Sequence, residues 1–171
     1  MNTRTLVSLA LLIGIGAVLH AIMPPLFFGM RPDMLLTMMF LGILLFPERK
    51  NVLVVALATG IVSALTTSFP GGQIANMIDK PVTAFVFLGL MVLIRAKQPT
   101  LVKASALTAV GTLISGTVFL STALIFFGLP QTFIGLFVAV VLPAAIVNTI
   151  VMVVIFPVVQ GIRKRTTVAV Q

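Results

Sequence analysis

Few side chains in this sequence can do polar chemistry, and most of those that can stand in two short runs. The first is Arg31-Pro32-Asp33; the second runs from Gln73 through Asn76 to Asp79 and Lys80. The 171 residues include only eleven Lys and Arg and three Asp and Glu, so Asp33 and Asp79 are two of just three acids. Each stands beside a base. Such pairs in apolar surroundings suit an amphoteric ligand, its carboxylate on Arg31 or Lys80 and its ammonium on Asp33 or Asp79, in a partly dewatered pocket. Gln73, Asn76 and the distant Asn148 would orient it by hydrogen bonds. Phe27, Phe28, Met30, Phe69, Met77 and Phe85 lie near these runs and could hold an apolar or aromatic part, although each taken singly reads as a lipid-facing or packing residue. The plainer alternative is that Asp33 and Asp79 only cap helices, with Pro81 in the first turn of one of them. A cap requires neither the adjacent bases nor Gln73 and Asn76, and the cluster as a whole therefore reads as functional.

Other chemistries lack their residues. Without cysteine there is no disulfide, thiol nucleophile or cysteine-metal site. The single His20 cannot make a metal site alone and reads as a helix-end or pocket residue. No G-x-x-x-x-G-K-[ST], H-E-x-x-H or G-x-S-x-G run occurs, so neither an enzyme nor a bound cofactor is expected. The net charge of +8 is spread over the ends of apolar runs, which argues against nucleic acid.

The elements that must position these residues are membrane spans. Hydrophobic residues make up 60% of the chain and charged ones 8%, too few to solvate a globular surface. Six apolar segments are expected, near Thr5–Met23, Asp33–Phe46, Asn51–Phe69, Pro81–Ile94, Lys103–Gly128 and Thr132–Gln160, within one transmembrane domain over residues 1–171. Proline- and glycine-bearing breaks such as 69-FPGG-72 and 128-GLPQ-131 separate them. The runs are continuous and do not alternate, which disfavours a barrel. The first segment resembles a signal peptide but lacks a small-x-small cleavage site, and it is read as a retained span.

Six spans put both termini on one side, with Arg4, Arg49, Lys50, Arg95, Lys97, Lys103 and Arg163, Lys164 and Arg165; only Arg31 and Lys80 face the other. That bias makes the termini cytoplasmic and the two charged runs external. Asp33–Phe46 and Pro81–Ile94 are short, roughly 21 Å each as helix against a hydrocarbon core of about 30 Å. Their preceding loops would then dip inward to form a pocket opening outward, and their closure would exclude water from bound substrate. Small residues four apart, Ala56/Gly60/Ala64 in the third segment, suit packing within the chain; Ala10/Gly14 and Ala17/Ala21 in the first suit either such packing or contact with another membrane protein. In the fifth segment Ser105, Thr108, Gly111, Thr112, Ser115 and Thr122 read as helix packing. Asn148 follows Pro143, either meeting a carbonyl freed by that proline or lining the pocket floor.

The runs 31-RPDMLLTMMFLGILLFP-47, 63-SALTTSFPGGQIANMIDKPV-82 and 141-VLPAAIVNTI-150 resemble the bacterial tryptophan transport protein family over nearly the whole chain. That family is similar to the S-components of energy-coupling-factor transporters, which are six-helix substrate-binding membrane proteins. The resemblance implies tryptophan as the substrate, a location in the bacterial plasma membrane and an S-component-like bundle. It also implies contact with an energy-coupling-factor membrane subunit and its ATPases through the first span, where Ala10 and Gly14 stand; uptake driven by an ion gradient stays open. Two other readings stand beside it: an S-component for another metabolite such as a vitamin, and a membrane assembly protein that transports nothing.

Overall fold

The computed structural model describes residues 2–24, 31–94 and 99–168, with side chains through Ile162. The apolar runs are helices, and no strand occurs among the described residues. They are α1 (Thr3–Ile22), α2 (Met34–Leu45), α3 (Arg49–Thr66), α4 (Gly72–Leu93), α5 (Leu101–Phe127), α6 (Phe133–Leu136) and α7 (Leu142–Val168), with a π-helical turn at Phe137–Val141 joining the last two. Short polar side chains start several of them. Asn2 accepts from the Arg4 amide at 3.2 Å, Asp33 from Leu36 at 3.0 Å, Thr100 from Lys103 at 3.4 Å and Thr132 from Gly135 at 3.2 Å. Each satisfies an amide that the first turn leaves without a partner.

Five helical stretches are long and apolar enough to cross a membrane: α1, α3, α4, α5 and the rod Phe133–Ile162. The protein is a multi-pass membrane protein. The sixth expected span, α2, is different. It has twelve residues, roughly 18 Å of helix, and eleven of them are buried. It packs against α1, α3, α4, α5 and α7 and so forms the axis of the bundle. Protein rather than lipid surrounds it, so it need not match the bilayer.

The core forms where α2 meets α4 and α5. Phe40 and Phe87 stack with centroids 4.2 Å apart and planes 6° from parallel, an arrangement that adds to their burial. Gly111 on α5 lies against both rings; a Cβ there would come within 2.8 Å of Phe40 and 2.9 Å of Phe87. Outside, Leu11 and Val18 of α1 and Ile146, Ile150 and Val154 of α7 are exposed, the apolar faces a lipid environment would cover.

Two expectations about elements need correction. The fourth span begins at Gly72, nine residues before Pro81, so Gln73, Asn76, Asp79 and Lys80 lie in a helix and not in a loop. Asp79 therefore caps nothing. Proline removes only one helix bond, and the polar side chains around it find partners on neighbouring helices, so neither stops the helix. The turn before α4 is made by Gly71 at φ +72°, whose Cβ replacement would collide with the ring of Phe127. The second correction concerns the last span. Pro143 cannot donate to the carbonyl four residues back, and the helix accommodates it with the π turn, where the Leu142 amide reaches back five residues to Phe137. Asn148 does not serve that proline; its amide goes to α5.

Of the small-residue rows, Ala56, Gly60 and Ala64 are buried, and a Cβ at Gly60 would lie 3.5 Å from the backbone of Asn76 and the stem of Lys80. Ala10 and Gly14 are exposed, with nothing near Gly14. Gly16 is the residue that lets α1 approach α2, against Met38 and Leu35.

Candidate functional site

A cavity of about 130 Å³ lies between the segment before α2, the facing ends of α3 and α4, the middle of α5, and the π turn with the first two turns of α7. Its charged side is an ion cluster centred on Lys80. The ammonium lies 2.5 Å from Asp33 and 2.8 Å from Asp79. Helical phase explains the meeting: Asn76, Asp79, Lys80 and Thr83 fall on one arc of α4, which faces α2, α3 and α5. Asp79 is fully buried and saturated. Its Oδ2 accepts from Lys80 and from Ser115 of α5 at 2.7 Å, and its Oδ1 accepts from Thr83 at 2.7 Å. Asp33 divides its two oxygens between the Leu36 amide and Lys80. A buried ammonium without carboxylates would be prohibitively costly; flanked by two, it ties the head of α2 to α4.

Arg31 stands apart from that cluster. It donates through Nη1 to the Ala21 carbonyl at 3.1 Å, while its buried Nε has no partner among the described residues. With Arg31 counted, the lining holds two acids and two bases. His20 also lines it, its Nδ1 donating to the Pro32 carbonyl at 3.3 Å. Asn76 donates to Ser63 and Gly72 carbonyls at 3.4 and 2.9 Å. Two more polar atoms among the lining residues, Ser63 Oγ and Asn148 Oδ1, are buried without partners among the described residues. Another stretch of the lining is apolar: Gly116, Phe119 and Leu120 of α5, Val140 and Val141 of the π turn, and Ala144 of α7. A neutral balance of charges beside an apolar wall can hold a zwitterion that carries a flat apolar group. The volume is close to the roughly 150 Å³ that admits a benzene ring, room for the flat group alone.

Residues 2–164 match the family described as Tryptophan transporter TrpP. The chain belongs to that family. Three relatives, each named a probable tryptophan transport protein, align over almost their full lengths. The Bacillus subtilis protein is 57% identical, with 98% of this chain and 96% of the relative covered. The Clostridium acetobutylicum protein is 44% identical with 91% of each covered, and the Clostridium perfringens protein 38% identical with 97% and 96% covered. No solved structure matches the chain significantly.

In this member of the TrpP family, Arg31, Asp33, Asn76, Asp79, Lys80 and Asn148 of the residues singled out from sequence all line one cavity, together with Phe69 and His20. Gln73 does not; in the first turn of α4, at the margin of the buried arc, it is exposed. Met77 and Phe85 are exposed as well, because their positions turn away from α3 and α5. Phe27, Phe28 and Met30 lie outside the described residues. The pairing also differs: the expected Arg31/Asp33 pair gives way to Lys80 shared by both acids. Sequence reasoning missed Ser63, Thr112 and Ser115 as cavity residues, along with the whole apolar wall. The polar row of α5 was the available signal, but Thr108, Thr112 and Thr122 bond back to their own helix while Ser115 leaves it for Asp79. Nothing in their spacing separates the two behaviours.

Proposed function

We propose that this protein takes up tryptophan across the bacterial plasma membrane, holding the amino acid in the cavity between α2, α4, α5 and α7. One observation carries the reading: in a chain of the tryptophan transporter family, a cavity within the helix bundle joins Arg31, Asp33, Asp79 and Lys80 to an apolar wall. Arg31, whose Nε is unpartnered among the described residues, takes the carboxylate. Asp33, partly open to the cavity, takes the ammonium. Asp79 and Lys80 are saturated by each other and by hydroxyls, so their part is to fix Asp33. Asn76 and Ser63 add hydrogen bonds, and the ring lies along Phe119, Val140 and Ala144.

The chain is proposed as a single transmembrane domain whose six spans, α2 among them, leave both termini cytoplasmic and the cavity open outward. Lys80 is buried on α4 and no longer counts as a loop base, so Arg31 alone opposes the nine bases of the other side. No catalysis is assigned to it. The exposed Ala10/Gly14 face of α1 is where an energy-coupling-factor membrane subunit with its ATPases would dock.

Tryptophan binding to the purified protein, with no other component present, tests the site. Saturable binding is expected; its absence sinks the proposal. Uptake into vesicles without an ATPase partner then separates the energy sources, since accumulation on a proton gradient alone excludes the coupling subunit.

A further inference from the structure

We infer that Asn148 is the residue that recognises the indole, its carboxamide oxygen accepting the indole N–H. The inference rests on tryptophan being the substrate and adds how the site identifies it. Asn148 is fully buried on α7 and lines the cavity. Its Nδ2 donates to Thr112 Oγ1 at 3.3 Å. The only proton of that hydroxyl goes to the Thr108 carbonyl, 2.8 Å away, which leaves lone pairs alone facing Asn148. The amide can thus be oriented in one way, with its oxygen left over. That oxygen has no partner among the described residues, although buried carbonyl oxygens nearly always have one.

Its surroundings say what kind of donor is missing. Ala144 lies one turn earlier on the same face of α7, with Val141, Gly116 and Leu120 completing the nearby lining. The charged residues Asp33, Asp79 and Lys80 stand on α4 and at the head of α2, and Asp79, which reaches α5 at Ser115, is already saturated by Lys80, Thr83 and Ser115. A donor delivered along the apolar wall is therefore carried by the apolar part of the ligand. The indole N–H is neutral, donates only and sits on the edge of a flat ring, the complement of a neutral atom that only accepts. Phenylalanine has no such donor and would leave the oxygen orphaned.

The test compares L-tryptophan with its benzothienyl isostere, in which sulfur replaces the N–H, in equilibrium binding to the intact purified protein. Wild type should prefer tryptophan roughly tenfold or more, because a site built around a hydrogen bond rejects the analogue that lacks it. In Asn148→Leu that ratio should fall to about one, with the isostere bound as tightly as before. Thr112→Val, which frees the amide to turn over, should narrow the ratio too, and serves if the first variant does not fold. Equal binding of the two ligands to wild type overturns the inference while leaving tryptophan uptake standing. So does an unchanged ratio in Asn148→Leu, or an equal loss of both ligands, which would place Asn148 at the amino-acid end. If wild type binds no tryptophan, the carrier reading falls and takes the inference with it.

Discussion

At the scale of single residues, Lys80 has the most to lose. Its ammonium lies between the buried Asp79 and the partly exposed Asp33, and removing it leaves both carboxylates without their counter-charge. Lys80→Met should destabilise the protein by about 3–5 kcal/mol, read as a lowered thermal midpoint in detergent. Adding Asp79→Asn should recover part of that loss, because one of the two stranded charges is gone. Arg31 behaves otherwise. It is half-buried and holds only a backbone carbonyl, so Arg31→Gln should leave the midpoint nearly unchanged and weaken tryptophan binding tenfold or more, the worth of a hydrogen bond to a charged group at about 1.5–3 kcal/mol. These residues were visible in the sequence because acids are so scarce. Their partners were not: that Lys80 serves Asp33 across 47 positions of chain follows only from the approach of α2 to α4.

At the scale of elements, two glycines set the shape of the site. Gly71 holds φ +72° in the turn before α4 and lies under Phe127. Gly71→Ala should cost about 1–3 kcal/mol in unfolding experiments from the backbone strain alone. Gly116 touches the π turn: a Cβ there would overlap the side chain of Val141. Gly116→Ala should therefore destabilise by about 1–3 kcal/mol and displace the apolar wall, weakening tryptophan binding. Combining it with Val141→Ala should restore most of both, a coupling that a double-mutant cycle would measure. The breaks at 69–72 and 128–131 mark helix ends that the sequence places well. The start of α4 was misjudged because Asp-Lys-Pro looks like a helix head, and the same residues form a helix interior once Ser115, Thr83 and Asp33 satisfy them.

At the scale of the whole molecule, the bundle is arranged around α2, whose burial on every side makes it the centre and the shortest of the proposed spans. The proposed topology puts the connection between α5 and α6 outside and that between α2 and α3 inside. The chain has no cysteine, so single substitutions at the exposed Gln131 and Glu48 report cleanly. With an impermeant thiol reagent on intact cells, Gln131→Cys should be labelled and Glu48→Cys protected until the membrane is opened; the reverse pattern would invert the topology.

By itself the sequence determined the membrane setting, the helical class and most of the charged residues of the cavity. Composition and unbroken apolar runs are local quantities, and burying a charge is so costly that the few charges present mark a special place. Tertiary structure alone decided which oxygen each cation meets, which hydroxyls of α5 leave their helix, and that Gln73, Met77 and Phe85 turn away from the cavity. It also decided the apolar wall and the unpaired oxygen of Asn148. Those depend on the rotation and depth of helices far apart in the chain, and in a sequence where nearly every position is apolar, periodicity does not say which face looks inward.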